Sequence, residues 1–305
     1  MGYKIQVWAT FGPTDITADI SSNRFKIEVK EPNIEIPNGL ERSVEDSWTK
    51  AQLKRKIEGK TELTDNHVLY LSAPMLEEKG KITLQTEVRD FRYTHALNRD
   101  PCFWVCTELL KQYRLLSLST HCHLVSKDGK ILFGIKKNQF NQISGFSGFP
   151  NAEEDVIELE GRKYLDIYKT IQKRLYSEIG YLVNAFDAIK AVGLVYVGQV
   201  SLRGLDSDYV IELDETSWNM QKRFSESAQF EKEIFAVDFE PRKIKGFFKE
   251  MHSKGRQISN YALGCSYAIF KGYFGEDEAN KLLKTIREEI GITISTSNET
   301  DYLRN

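Results

Sequence analysis

The stretch that most restricts how this chain can fold runs from Leu115 to Gly180. Two strand-like apolar runs, residues 115–125 and 131–136, flank Asp128-Gly129. That dipeptide is a strong hairpin signal, because its residues tolerate the positive φ that a two-residue turn needs. A loop rich in Gly and Phe follows from Gly145 to Pro150, then the acidic run Glu153-Glu154-Asp155. Leu165, Tyr168, Leu175 and Ile179 share one helical face, which predicts a helix from about Lys163 to Ile179, stopped at Gly180. Strand-like runs at 191–200, 208–213 and 233–239 come next. Strand, tight turn, strand, glycine loop, helix and further strands predict an α/β sandwich built on a mixed sheet.

The flanks read differently. Runs at 3–9, 25–29, 68–73 and 82–88 predict strands. Ser43-Val44-Glu45-Asp46 has the form of a capping box, with Val44, Trp48 and Ala51 at helical spacing after it. A connecting helix is expected over 103–113. These elements predict a smaller α+β domain over residues 1–113, ahead of a larger domain over 114–305. No Pro/Gly/Ser linker or repeat marks the boundary. Beyond Pro241, which suits a first helical turn, Ile244, Phe247, Phe248 and Met251 fall at i, i+3, i+4 and i+7. Helices over 261–273 and 276–290 complete a helical C-terminal extension.

At 305 residues and net charge −2, the chain has ample core and no global attraction to nucleic acid or anionic membrane. No apolar run reaches the length of a membrane span, the first residues lack signal-peptide character, and no basic patch interleaved with aromatics recommends nucleic acid. Cys102, Cys106, Cys122 and Cys265 lack metal-ligand spacing, so buried free thiols in a reducing, cytoplasmic compartment are expected. His121 and His123 alternate along a strand and face one side, with Cys122 on the other. No matched third ligand is visible, which favours a structural or ligand-orienting role for the pair. Phe140, Phe146 and Phe149 could stack on a base, though core packing is their commoner use.

Three segments together resemble the Nudix hydrolase superfamily. Residues 119–125 with 128–134 look like its opening hairpin, and Ser147-Gly148-Phe149-Pro150 stands where its Pro-Gly-Gly loop does. Lys173-Arg174-Leu175-Tyr176-Ser177-Glu178-Ile179-Gly180 resembles the box ending R-E-(apolar)-x-E-E-x-G. The likeness covers about residues 115–252 and requires an insertion around 158–166. Within the superfamily the chain is similar to the UDP-glucose pyrophosphatase branch, which has a smaller N-terminal domain and an insertion in the box. Trp48 with Leu53, Leu63-Thr64-Asp65, Val68-Leu69-Tyr70-Leu71 and Phe91-Arg92-Tyr93-Thr94 near Asn98 carry that likeness. Arg287-Glu288-Glu289-Ile290-Gly291 imitates the ending, but no hairpin or glycine loop precedes it.

The resemblance implies hydrolysis of a nucleoside diphosphate linked to another group, such as a nucleotide sugar, by water attack assisted by Mg²⁺ or Mn²⁺. It implies Glu178 as a metal ligand, with Glu153 and Glu154 as further ligands and Glu154 and Glu231 as catalytic partners. Gly148, Phe149, Lys173 and Arg174 would contact the ligand. Asp155, Asp166 and Glu233 are other acids within the frame. The departures matter as much. Lysine replaces the box arginine, Arg174 stands at the first glutamate position, and Ser177 at the second. Two negative charges go and one positive charge arrives, which weakens any dication site. A second reading therefore stands beside the first: a Nudix-like protein that has lost turnover and binds a nucleotide or a protein partner. Lys173 and Arg174 would then meet phosphate directly.

Overall fold

The computed structural model describes residues 4–73, 75–100, 103, 112–136, 142–199, 202–226 and 230–296. Most of the helix expected over 103–113 lies outside them, as do Cys102, Cys106 and Phe140. The fifteen described strands, numbered in chain order, form two mixed sheets. The larger runs β14 (Phe230–Asp238), β7 (Lys130–Lys136), β6 (Leu118–Val125), β13 (Leu202–Glu212), β12 (Ala188–Gln199), β1 (Lys4–Ile16) and β15 (Ile294–Thr296). β6 is parallel to β13, and β1 to β15. The smaller sheet runs β10 (Val156–Leu159), β11 (Arg162–Leu165), β2 (Phe25–Lys30), β5 (Lys81–Asp90) and β3 (His67–Leu71), with β4 (Leu76–Glu78) also on β5. The expected α/β sandwich with a mixed sheet is present.

Alternation along the strands assigns the cores. In β3, Leu69 and Leu71 join Phe25, Ile27 and Leu84 of the smaller sheet in one core, shared with Leu118, Cys122, Leu124 and Tyr209 of the larger. Val68 and Tyr70 face the other way, toward α1 (Asn38–Ile57) and α2 (Phe91–Arg99). α3 (Ile167–Ile179) adds Ile171 and Leu175 to the inter-sheet core. α4 (Ser217–Glu226) contributes Met220 to it. The far face of the larger sheet packs Val195, Val197, Val210 and Phe133 against α5 (Pro241–Ser253), α6 (Asn260–Ile269) and α7 (Glu276–Thr285). Among the described residues no helix is long and apolar enough to cross a membrane.

Three expectations change. The division after residue 113 does not separate the sheets: β1 is hydrogen-bonded between β12 and β15, and β11 pairs with β2. The expected insertion is the hairpin of β10 and β11, residues 156–165, and α3 begins after it rather than near Lys163, with Asp166 as N-cap accepting from the Lys169 amide at 2.9 Å. Ser43 lies inside α1 and its hydroxyl donates to the Gly39 carbonyl at 3.0 Å; the helix starts earlier, after Pro37. A hydroxyl bonded one turn back is the interior alternative to capping.

Candidate ligand cleft and a buried polar cluster

β6 and β7 pair beside their turn, at Leu124–Leu132 and Val125–Ile131, and then part. β9 (Phe146–Gly148) takes over β6, and β8 (Ile143–Ser144) takes over β7. Gly145 lies in the crotch of this fork. A Cβ there would land on the Cys122 carbonyl and 3.0 Å from Nδ1 of His123, so the close strand approach requires glycine. Gly148 answers to a different neighbour, since its Cβ would fall on the Arg174 guanidinium. These two glycines therefore serve close packing.

α3 presents its box positions on adjacent faces. Glu178 belongs to the buried stripe with Ile171, Leu175 and Ile179, its side chain 7 % exposed. One turn earlier, Arg174 lies with Nη1 3.5 Å from Glu178 Oε1 and donates from Nη2 to the Phe149 carbonyl at 3.4 Å. Lys173 is clamped by Glu154 at 2.6 Å and by buried Asp155 at 2.7 Å. Desolvation pulls the Lys173 ammonium down, but those two carboxylates outweigh it and hold the group above its ordinary value. The hydrogen bond from Lys173 lowers the Glu154 carboxyl in turn. Glu153 reaches the other way, to His67 Nδ1 at 2.7 Å.

Among the described residues the expected acid trio is therefore not assembled. Glu178 faces a guanidinium, Glu154 an ammonium and Glu153 an imidazole on β3. Glu231 falls on β14 and Glu233 beside it, with side chains outside the described residues. Asp155 fixes the loop, accepting from the Asn151 amide at 3.0 Å, and Asp166 caps α3. This donor set does not fit a Mg²⁺ or Mn²⁺ ion, which wants several convergent oxygens and no cation among them.

Three of the four expected ligand contacts do meet in one place. Gly148, Phe149 and Arg174 line a cleft of about 520 Å³, together with Asn66, Phe91 and Asp206. Lys173 is absent from its lining. Phe91 and Phe149, ring centroids 5.5 Å apart, also border a neighbouring cleft of about 740 Å³ lined by Lys50, Lys54, Arg55 and Arg99. A larger cleft of about 1020 Å³ opens along β1, where Lys271 pairs with Glu276 at 2.8 Å, Arg24 donates to the Gly80 carbonyl and Asp15 pairs with Lys190. It holds none of the residues the sequence singled out.

Beneath the first cleft lies a polar cluster in the core. Ser119 and Asp206 on its floor share a short hydrogen bond. Two residues further along each strand stand His121 and Asp208, both 0 % exposed, with Nδ1 and Oδ1 3.6 Å apart. His123 follows on β6, its ring edge-to-face with His121 at 4.9 Å and one nitrogen beside the Leu132 backbone. Burial pushes its imidazole down to about 4. Burial, and then the charge of Asp206, push the Asp208 carboxyl well above the usual carboxylate range. Cys265 of α6 completes the group as a buried free thiol. Among the described residues, His121, His123 and Cys265 are the one set of three such side chains with donor atoms all within 4.8 Å of one another. The sequence showed the two histidines on one face but had no signal for Cys265 or Asp208, which come from other elements.

No family model matches the chain, and no curated protein matches it. Among solved structures, DR0079 of Deinococcus radiodurans matches 47 % of this chain and 74 % of its own length, at 11 % identity and a TM-score of 0.28. A NUDIX family hydrolase from Clostridium perfringens matches 54 % of this chain and 97 % of its own length, at 11 % identity and a TM-score of 0.24. Overlap at that level assigns no activity.

Proposed function

We propose that this chain binds a phosphorylated small molecule bearing a planar base, a nucleotide or nucleotide sugar, on a Nudix-like frame that no longer builds the box metal site. The observation that carries this reading is the fate of the box side chains. Glu178 and Glu154 are each paired with a cation, while Arg174 borders the cleft beside Gly148 and Phe149. A guanidinium offers a planar fork for phosphate oxygens, and Phe149 and Phe91 offer ring faces for a base. The neighbouring cleft, where Lys50, Lys54, Arg55 and Arg99 outnumber Glu58 and Asp100, supports a ligand with more than one phosphate. The competing reading is hydrolysis of the diphosphate link.

A nucleotide panel tested by thermal shift and calorimetry separates the two. Expected is stabilisation by a nucleoside diphosphate or its sugar ester, unchanged by EDTA, with affinity falling about tenfold or more in Arg174→Ala, the size of one lost charge-assisted contact. Release of UMP or phosphate that requires Mg²⁺ or Mn²⁺ and disappears in Glu178→Gln would overturn the binding reading and establish hydrolysis.

A further inference from the structure

We propose that His121, His123 and Cys265 form a zinc site that fastens α6 to the fork of β6, with Asp208 positioning His121. The proposal stands apart from the cleft reading and uses none of the box residues.

The donor set is the first support. Two imidazoles and a thiol are borderline-soft ligands, suited to Zn²⁺ and poorly matched to Mg²⁺ or Ca²⁺. The second is their approach. Ligand atoms of a tetrahedral zinc lie about 3.3–3.6 Å from one another, given metal–nitrogen and metal–sulfur bonds of about 2.0–2.3 Å. The three donor atoms here are within 4.8 Å of one another with no ion present, so modest side-chain rotation closes the set. Third, His123 is fully buried, and with the Leu132 backbone beside one ring nitrogen the other is left without a hydrogen-bond partner. Buried polar groups are ordinarily satisfied, and a ligated ion would satisfy that nitrogen. Its ring is held in place by Gly145 on one side and Phe133 on another, ring centroids 5.0 Å apart.

The surroundings fit a metal centre too. Asp208 Oδ1, 3.6 Å from His121 Nδ1, can accept that ring's proton and turn its other nitrogen to the metal, the usual carboxylate–histidine arrangement. The cluster adjoins the cleft, because Ser119, Asp206 and Tyr261 line it and precede His121, Asp208 and Cys265 along their own elements. The chain supplies its own control. Cys122, the other described cysteine, is equally buried but belongs to the inter-sheet core on the opposite face of β6.

The test is metal analysis of the full chain purified without added metal, together with Co²⁺ loading after chelation. Expected are about one zinc per chain, a thiolate-to-cobalt charge-transfer band on Co²⁺ loading, and a melting temperature lowered by a strong zinc chelator. Cys265→Ser should lose the charge-transfer band, and Cys122→Ser should keep both band and zinc. Asp208→Asn should weaken zinc affinity by about 10–100-fold. If Cys265→Ser does not fold, the wild-type measurements still decide. Folded wild-type chain that carries no zinc, gives no thiolate–cobalt band and melts identically with and without chelator overturns the proposal, as does a band that survives in Cys265→Ser.

Discussion

Gly145 and Gly148 are three residues apart in one loop, yet their neighbours differ in what can give way. A methyl at Gly145 meets the Cys122 backbone carbonyl and the packed His123 ring, neither of which can move without parting the strands. Gly145→Ala is expected to lower stability by about 2–3 kcal/mol, as overpacking of a filled interior does, measured by urea unfolding. The atoms nearest a methyl at Gly148 belong to the guanidinium of Arg174, the end of a flexible side chain. Gly148→Ala should change stability by less than about 1 kcal/mol, yet swing the guanidinium off the cleft wall and weaken nucleotide binding. Equal stability losses in the two variants would contradict this assignment. The i, i+4 spacing of Arg174 and Glu178 was legible in the sequence, and the pair is there. What the spacing could not tell was that Glu178 sits on the buried stripe, which depends on where α3 lies against the sheets.

At the scale of elements, the Asp128-Gly129 hairpin turn was the most readable feature, because turn chemistry is local. The structure adds a tie that is not local. Asp128 accepts from the Ser217 amide and hydroxyl, both at 2.6 Å, and so caps the start of α4 from another element. Partial desolvation raises this carboxyl, but the hydrogen bonds from Ser217 and Ser126 outweigh it and hold it down to about 2. A carboxyl whose pKa is depressed by folding stabilises the fold above its unfolded value, near 3.8, and loses that contribution as pH falls through about 2. Asp128→Ala should therefore cost about 1 kcal/mol at neutral pH, the size of a lost helix cap, and less as the medium is acidified toward pH 2. Thermal melts of both proteins from pH 7 to pH 2 check it; a gap that widens on acidification would contradict the sign. α4, Ser217–Glu226, itself escaped the sequence reading.

For the whole molecule, the placement of β1 matters most. The first strand lies in the larger sheet between β12 and β15, and β10–β11 extends the smaller sheet from within the later part of the chain. Each expected domain lends strands to the other's sheet. A fragment beginning at residue 114 would leave the edges of β12 and β15 unpaired and bare the apolar residues of β1's neighbours. It is expected to be insoluble or to lack a cooperative melt, whereas independent folding of residues 114–305 with a sharp transition would restore the two-domain division.

The sequence by itself determined the local elements: the hairpin at Asp128-Gly129, α3 with its glycine stop, the helix opened by Pro241, and the loss of the box charge pattern. These depend on φ preferences, periodicity and side-chain charge, all carried by residues close together in the chain. Tertiary structure alone decided which charges meet. It sent Glu153 to His67 and Lys173 to Glu154 and Asp155, laid Arg174 along a cleft, and brought Cys265 beside two histidines. Contacts between distant segments follow from how sheets and helices bury their apolar faces together, and no spacing within one segment encodes them.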